Sequence, residues 1–233
     1  KEKNRMEDDE KKTTTVETDK PMEAQLGVLN RADGSCRYSR GKTMVIAAVF
    51  GPVEAMQKNE QADRASLLVQ LRPAQGNSPV ADRDLERFVA STFQSAVVLT
   101  MHPRTQIHIV VQVVNDDGGL LAAVINATSL ALIDAAIPMH FVAVASAALL
   151  SEDGHPAVLE ASAAQETKSE GGALTFVFDS KDGSLLSSFS RGSFLENDFF
   201  SALSLSRSLA LSSVVPFIHS SFETRASFYE QQS

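Results

Sequence analysis

The chain is poor in the residues that build disulfide frameworks and metal centres. Its one cysteine, Cys36, rules out an internal disulfide, and a reducing compartment is the natural reading. Cys36 sits beside a turn and reads as a small buried side chain. The five histidines are scattered, His102 and His108 being the nearest pair, so no His/Cys cluster has metal-ligand spacing and neither a metal nor a cofactor is expected. The many serines lack nucleophile-elbow spacing. No apolar run reaches transmembrane length: Leu120–Ala136 is interrupted by Asn126 and Asp134, and Phe141–Leu150 is too short. The first residues are charged with no apolar centre, unlike a secretory signal. Positive charge is also lacking. The net charge is −8, and the first twenty residues are nearly balanced, so the acidity belongs to the rest. An acidic body argues against tight autonomous binding to nucleic acid, which rests on phosphate neutralisation. A local basic strip inside a larger assembly stays open.

What is present is a core-forming chain. Residues 1–22 are read as a disordered charged tail, because they have almost nothing to bury, and residues 23–233 as one folded domain. Its centre is the stretch from His102 to Pro138. Ile107, Ile109, Val111 and Val113 alternate with His108, Val110, Gln112 and Val114, a strand with two largely apolar faces. Asn115-Asp116-Asp117-Gly118-Gly119 is dense turn chemistry, in which either aspartate can cap the first turn of the next element. Leu120–Ala136 is apolar nearly all round, the pattern of a buried helix, with Pro138 as its stop. A glycine-rich turn opening a helix is a ready anion site. The same residues equally serve an ordinary strand, turn and core helix with nothing bound.

The flanking segments read in order. Asp33-Gly34 and Arg40-Gly41 punctuate a β-meander with strands at Ser35–Ser39 and Thr43–Phe50. The latter has no protective Pro or Lys beyond Lys42 and is expected to be an edge that a partner covers. Ser66–Leu71 is a strand, and Ala74–Val80 a loop. Asp84–Met101 is an amphipathic helix, with Arg83 and Arg87 as neighbours on its polar side. Phe141–Leu150 and His155–Leu159 are strands, Glu160–Gly172 a polar loop, and Ala173–Phe178 with Leu185–Phe189 a hairpin. Ser193 and Glu196 have capping-box spacing and open a helix to about Tyr229, kinked at Pro216, although SALSLSRSLALSS also alternates with period two. The order gives an α+β class, with helices packed on a sheet. Two βαβ-type halves sharing one sheet and core are expected.

Three stretches carry a resemblance. LNRADGSCRYSRGKTMVIAAVFGPVE, HPRTQIHIVVQVVNDDGGLLAAVINATSLALIDAAIPM and VLEASAAQETKSEGGALTFVFD resemble corresponding segments of the RNase PH-like proteins, in the same order, over Leu26 to Phe222. Leu71–Pro73, His102–Thr105 and Gln112–Val114 are spelled most like one subunit of the eukaryotic exosome ring. The resemblance implies the RNase PH-like (ribosomal protein S5 domain 2-like) fold.

Active members of that family phosphorolyse RNA from its 3′ end, using cations that hold phosphate and carboxylates that bind metal or move a proton. Carried over position by position, this chain departs from them. The family's phosphate-holding Arg after the two glycines falls at Leu121, and a second phosphate-contacting Arg falls at Ala81. Of two catalytic aspartates, the first aligns with Glu166 and the second falls at Gly172 or Ala173. Leucine can neither neutralise phosphate nor donate a hydrogen bond. The resemblance therefore implies no catalytic residue and a non-catalytic exosome ring subunit supporting 3′-to-5′ RNA processing and degradation. Its implied partners are related ring subunits, RNA-binding cap proteins and a separate hydrolytic nuclease, in nucleus, nucleolus and cytoplasm. Arg72, Arg83, Arg87 and Arg104 are the candidate contacts to single-stranded RNA, through its backbone. The alternative is a phosphate-independent RNA-cleaving homodimer that recruits Glu160 and Glu166.

Overall fold

A computed structural model describes residues 20–74, 80–150, 156–159, 161–163 and 172–230, without the side chains of 80–82, 156–159 and 228–230. The described part of the expected tail includes Met22, which already belongs to the first strand. Strands β1 (Met22–Leu26), β2 (Gly34–Arg40) and β3 (Thr43–Glu54) form an antiparallel meander. Strand β4 (Ser66–Arg72), helix α1 (Val80–Ala96) and strand β5 (Thr105–Asn115) form a β-α-β unit with β4 and β5 parallel. The five strands make one sheet in the order β1-β2-β3-β5-β4.

That order corrects the expected edge. Strand β3 lies between β2 and β5, with Val45, Ala47 and Val49 fully buried. A strand apolar on both faces needs no guard residues when both of its edges are paired. The edges are β1 and β4, and the Leu71 N–H of β4 donates to Glu86 of α1 at 2.8 Å.

A second sheet holds β6 (Ala143–Leu150), β7 (Pro156–Leu159), β8 (Ala173–Asp179) and β9 (Leu185–Arg191), in the order β7-β6-β8-β9, all antiparallel. The halves thus share a core and not a sheet, and the second half has no βαβ unit among the described residues. Between the sheets runs helix α2 (Leu120–Asp134), buried from Leu121 through Leu132. Every residue of β6 is buried, with α2 on one side and the C-terminal helices on the other.

Helix ends differ from expectation for local reasons. Helix α2 stops before Pro138, because Ala136 turns left-handed (φ 53°). Ile137 N–H then bonds Leu132 O at 3.1 Å, closing a Schellman-type end. Helix α1 starts at Val80 and ends at Ala96. The β-branched Val97 pairs as a bridge with Met139, and Leu99–Met101 form a separate 3-10 turn. Helix α3 (Glu196–Leu209) has Leu195 at its N-cap with no side-chain cap bond, so the Ser193/Glu196 capping box does not form. It continues through a π turn at Ala210–Val214 into α4 (Val215–Glu230). Pro216 has no N–H to give the preceding turn, and the widened turn absorbs that loss. By length and composition alone, Glu196–Ser227 is apolar enough to cross a membrane, yet Ala202, Ser206, Leu209, Ala210, Val214 and Ile218 are buried within the fold.

Candidate functional site

The loop from β5 to α2 is built by its glycines and by Thr43. Thr43 Oγ1 accepts from Asp117 N–H at 2.9 Å and donates to Gly118 O at 2.8 Å. Asp116 Oδ1 accepts from Gly118 N–H at 3.1 Å. Gly118 (φ 92°) and Gly119 (φ 62°) both take conformations that side chains resist, and a Cβ at Gly118 would lie 2.3 Å from Ala161 O. Gly119 is the N-cap, with no side-chain cap bond. The expected aspartate cap is therefore absent: Asp116 is spent inside the turn.

This helix start opens onto a depression of about 160 Å³. Leu120 and Leu121 of α2, Leu85 of α1, Ala147–Leu149 of β6, Ala173–Thr175 of β8 and Phe189 of β9 line it, with Asp116 and Arg191 also contributing. The edge-on contact of Phe88 with Phe189 at 5.5 Å and the Thr92–Ser187 hydroxyl bond at 3.0 Å fix α1 against β9. Its side-chain lining is mostly aliphatic and aromatic, with one carboxylate, Asp116, and one guanidinium, Arg191. Besides the helix N-terminus and Arg191, Lys20 and Arg40 lie at the same turn, lining an adjoining cavity with Gly118 and Gly119.

Leu121 is 7% exposed and part of the lining. Ala81 lies in the first turn of α1, where its side chain is outside the described residues, and Glu160 and Glu166 are outside them altogether. Gly172 is buried, and a Cβ there would come within 2.9 Å of Phe194, so the position is committed to packing. The neighbouring Ala173 reaches the depression and carries no carboxylate.

The four arginines do not form one strip. Arg72 ends β4 in register with Gln112, whereas Arg104 precedes β5 at its other end, beside Glu60 at 3.8 Å. Eight residue steps separate those levels, roughly 26 Å. Arg83 and Arg87 are exposed on α1, Arg87 within 3.6 Å of Asp84. Arg72 adds to burial, the larger cause, in holding His108 below the usual histidine value. No group of three metal-ligating side chains occurs among the described residues.

Two features escaped the sequence reading. Arg191 reaches the depression from the end of a hairpin strand, a position marked in sequence only by the Arg191-Gly192 dipeptide. A second, polar cleft of about 490 Å³ lies where β4 begins, with Lys58, Asn59, Gln61, Gln94 and Gln106 in its lining. Its lining comes from the loop before β4, β4 itself, α1, the 3-10 turn and β5, which no local pattern joins.

Comparison with known proteins agrees with this architecture. The family described as "3' exoribonuclease family, domain 1" (RNase_PH) matches residues 18–138. An "Exosome complex exonuclease RRP46 homolog" of Arabidopsis thaliana is 39% identical over 70% of this chain and 68% of its own length. One of Oryza sativa subsp. japonica is 33% identical over 89% of this chain and 92% of its own. The crystal structure of rice Rrp46 superposes with a TM-score of 0.77, at 34% identity, covering 86% of this chain and 93% of that one. An archaeal exosome core chain shares the fold at a TM-score of 0.71 and 21% identity, over 85% of this chain. The finer spelling noted at Leu71–Pro73, His102–Thr105 and Gln112–Val114 is thus a likeness to RRP46. With the fold, the helix start and the sequence match in agreement, this chain belongs to the RNase PH family of 3′ exoribonucleases.

Proposed function

We propose that this chain is a non-catalytic member of an exosome core ring, supporting 3′-to-5′ RNA processing and decay by scaffolding and by threading RNA. The observation that carries this is the buried Leu121 at the helix start, in an apolar lining where a phosphorolytic enzyme needs a cation. Removing one preorganised charge contact costs on the order of 3 kcal/mol of transition-state stabilisation, and here the aligned positions Ala81 and Gly172 lack theirs too. Exosome membership rests on the relatives, which are named as exosome complex components. The proposed partners are related RNase PH-like ring subunits, RNA-binding cap subunits and a hydrolytic nuclease, in nucleus, nucleolus and cytoplasm. The acidic body suits more basic neighbours.

The test has two arms. The purified chain should release no nucleoside diphosphates from single-stranded RNA with phosphate and magnesium, and tagged chain should co-purify with other RNase PH-like subunits. Recovery as a lone monomer, or phosphate-dependent release of diphosphates, would overturn the reading. For RNA contact we assign backbone contacts to Arg72, Arg83, Arg87 and Arg104, all exposed. Replacing all four with Ala should lower RNA crosslinking in the assembled complex, and unchanged yield would remove that assignment.

The name exonuclease on the two plant relatives favours a second reading, a phosphate-independent nuclease using Glu160 and Glu166. RNA cleavage without phosphate that is abolished by Glu166→Gln would establish it.

A further inference from the structure

We propose that the open edge of β4, with the polar cleft at its start, takes an extended, uncharged segment of a partner protein as an added strand. Strand β4 ends its sheet, so its peptide groups face β5 and the outside by turns. The odd-numbered residues face outward. Ala65 N–H, just before the strand, donates to Leu99 O at 2.9 Å, and Leu71 N–H donates to Glu86 at 2.8 Å. Between those two anchors, the outward N–H and C=O groups of Leu67 and Val69 have no partner among the described residues. Sheet edges are ordinarily guarded by lysine, proline or a bulge. Residues 66–71 read SLLVQL, with no charge and no proline, and their pairing with β5 has no break in register.

The cleft gives an added strand its place. It measures about 490 Å³, and every residue of its lining is described. Glu86, Ala90 and Gln94 follow one another at helical spacing along α1. From Glu86 to Gln94 the helix advances about 12 Å. From Leu71 back to Leu67 the strand covers about 13 Å. Gln94, a lining residue, therefore stands level with the open Leu67.

Hydrogen bonding, and not charge, selects the occupant. Asn59, Gln61 and Gln106 line the cleft with Gln94, and a side-chain amide donates and accepts as a peptide group does. The charges at the cleft nearly cancel: Arg64 lies 2.9 Å from Asp63 and Arg104 3.8 Å from Glu60, which leaves Lys58. One ammonium is little hold for a phosphate chain, whereas an open edge with amides beside it matches extended peptide. Leu68, 41% exposed, and Leu99 offer apolar contact to β-branched side chains on that peptide. The undescribed stretches join the described chain elsewhere. Residues 1–19 lead into Lys20, beside Arg40 and Gly118 at the opposite end of the sheet, and residues 75–79 follow Ala74, past the far end of β4. The others lie between strands of the second sheet or after α4. The site rests on this edge and not on ring membership, and its test involves no RNA turnover.

The experiment adds acetyl-Thr-Val-Thr-Val-Thr-amide to the isotope-labelled full chain and reads the amide signals and hydrogen exchange of Leu67 and Val69. The peptide should shift both signals and slow both exchange rates about tenfold at saturation. N-methylation blocks one edge of the peptide at a time. Of two forms, methylated at both Val or at the second and third Thr, only one should bind about tenfold more weakly. Gln94→Trp, at an exposed helix position, fills the cleft and should weaken the peptide about fivefold. Leu67→Pro removes one outward donor without taking a hydrogen bond from the ladder, and should weaken binding about tenfold. Should that variant not fold, Gln94→Trp reads the same contact. Equal affinity of all three peptides, no protection of Leu67 and Val69 at millimolar peptide, or unchanged binding in Gln94→Trp would each overturn the proposal. Protection that rises with protein concentration alone would overturn it in favour of a second copy of the chain, and larger shifts of these amides from oligouridylate in favour of RNA.

Discussion

Strand β6 is paired on one side along its whole length by β8 but on the other only near its end, where β7 reaches back no further than Ala148. Helix α2 takes the place of the missing strand. Asn126 Nδ2 donates to Ala145 O at 3.0 Å, Ala145 N–H donates to Asn126 Oδ1 at 2.8 Å, and Ser129 Oγ donates to Ala143 O at 2.6 Å. Asn126 is 1% exposed and Ser129 fully buried, so no water can take over. Asn126→Leu keeps the branched heavy-atom framework and strands both backbone groups of Ala145. At about 1–3 kcal/mol for each unsatisfied buried group, the expected loss is about 4 kcal/mol. Ser129→Ala strands one carbonyl and should cost about half as much. Thr128→Val is the control: Thr128 is equally buried on the same helix, but its hydroxyl bonds Val124 O within the helix, so the loss should stay near 1 kcal/mol. Urea unfolding followed by far-UV circular dichroism measures all three, with an unchanged m-value as the condition for comparison. A loss below about 1 kcal/mol for Asn126→Leu, or equal losses for it and Thr128→Val, would refute the idea that α2 completes the sheet.

Burial, and then the charge of Arg72, holds His108 below its ordinary 6.5, so the unfolded chain binds the proton more readily. Stability should therefore be full above about pH 6.5 and decline as pH falls through that value, and His108→Gln should flatten the decline between pH 7 and 5 in thermal melts. Asp134 is 6% exposed, accepts Ser35 N–H at 3.0 Å and pairs with Arg225 at 3.3 Å, tying α4 to α2 and β2. Arg225→Ala should cost about 2–3 kcal/mol in urea, and the double variant Arg225→Ala/Asp134→Asn should recover part of it, because the neutral amide needs no counter-ion.

The central strand, turn and helix were legible because one period switches to another at a glycine pair, and local geometry decides such a switch. Helix α1 was legible as an amphipathic repeat, but its end was not, because Val97 and Val98 continue the apolar pattern while their branching favours the bridge to Met139. The division into two sheets left no local trace. It depends on β5 pairing with β3 and β4, and on β6 turning away beneath α2. The mouth of the site was invisible for the same reason: Asp116 and Arg191 come from different sheets. The polar exceptions on α2 mark its contact with β6. Asn126 and Ser129 are three apart on an otherwise apolar helix, hence on one face, and such a pair marks where a helix meets open backbone. Fold and chemistry separate in the same way at the glycine pair. The turn before α2 is held by Thr43, by Asp116 and by close approach of Gly118 to Ala161, none of which requires a bound anion. A leucine at 121 therefore fits the frame while adding no charge to it.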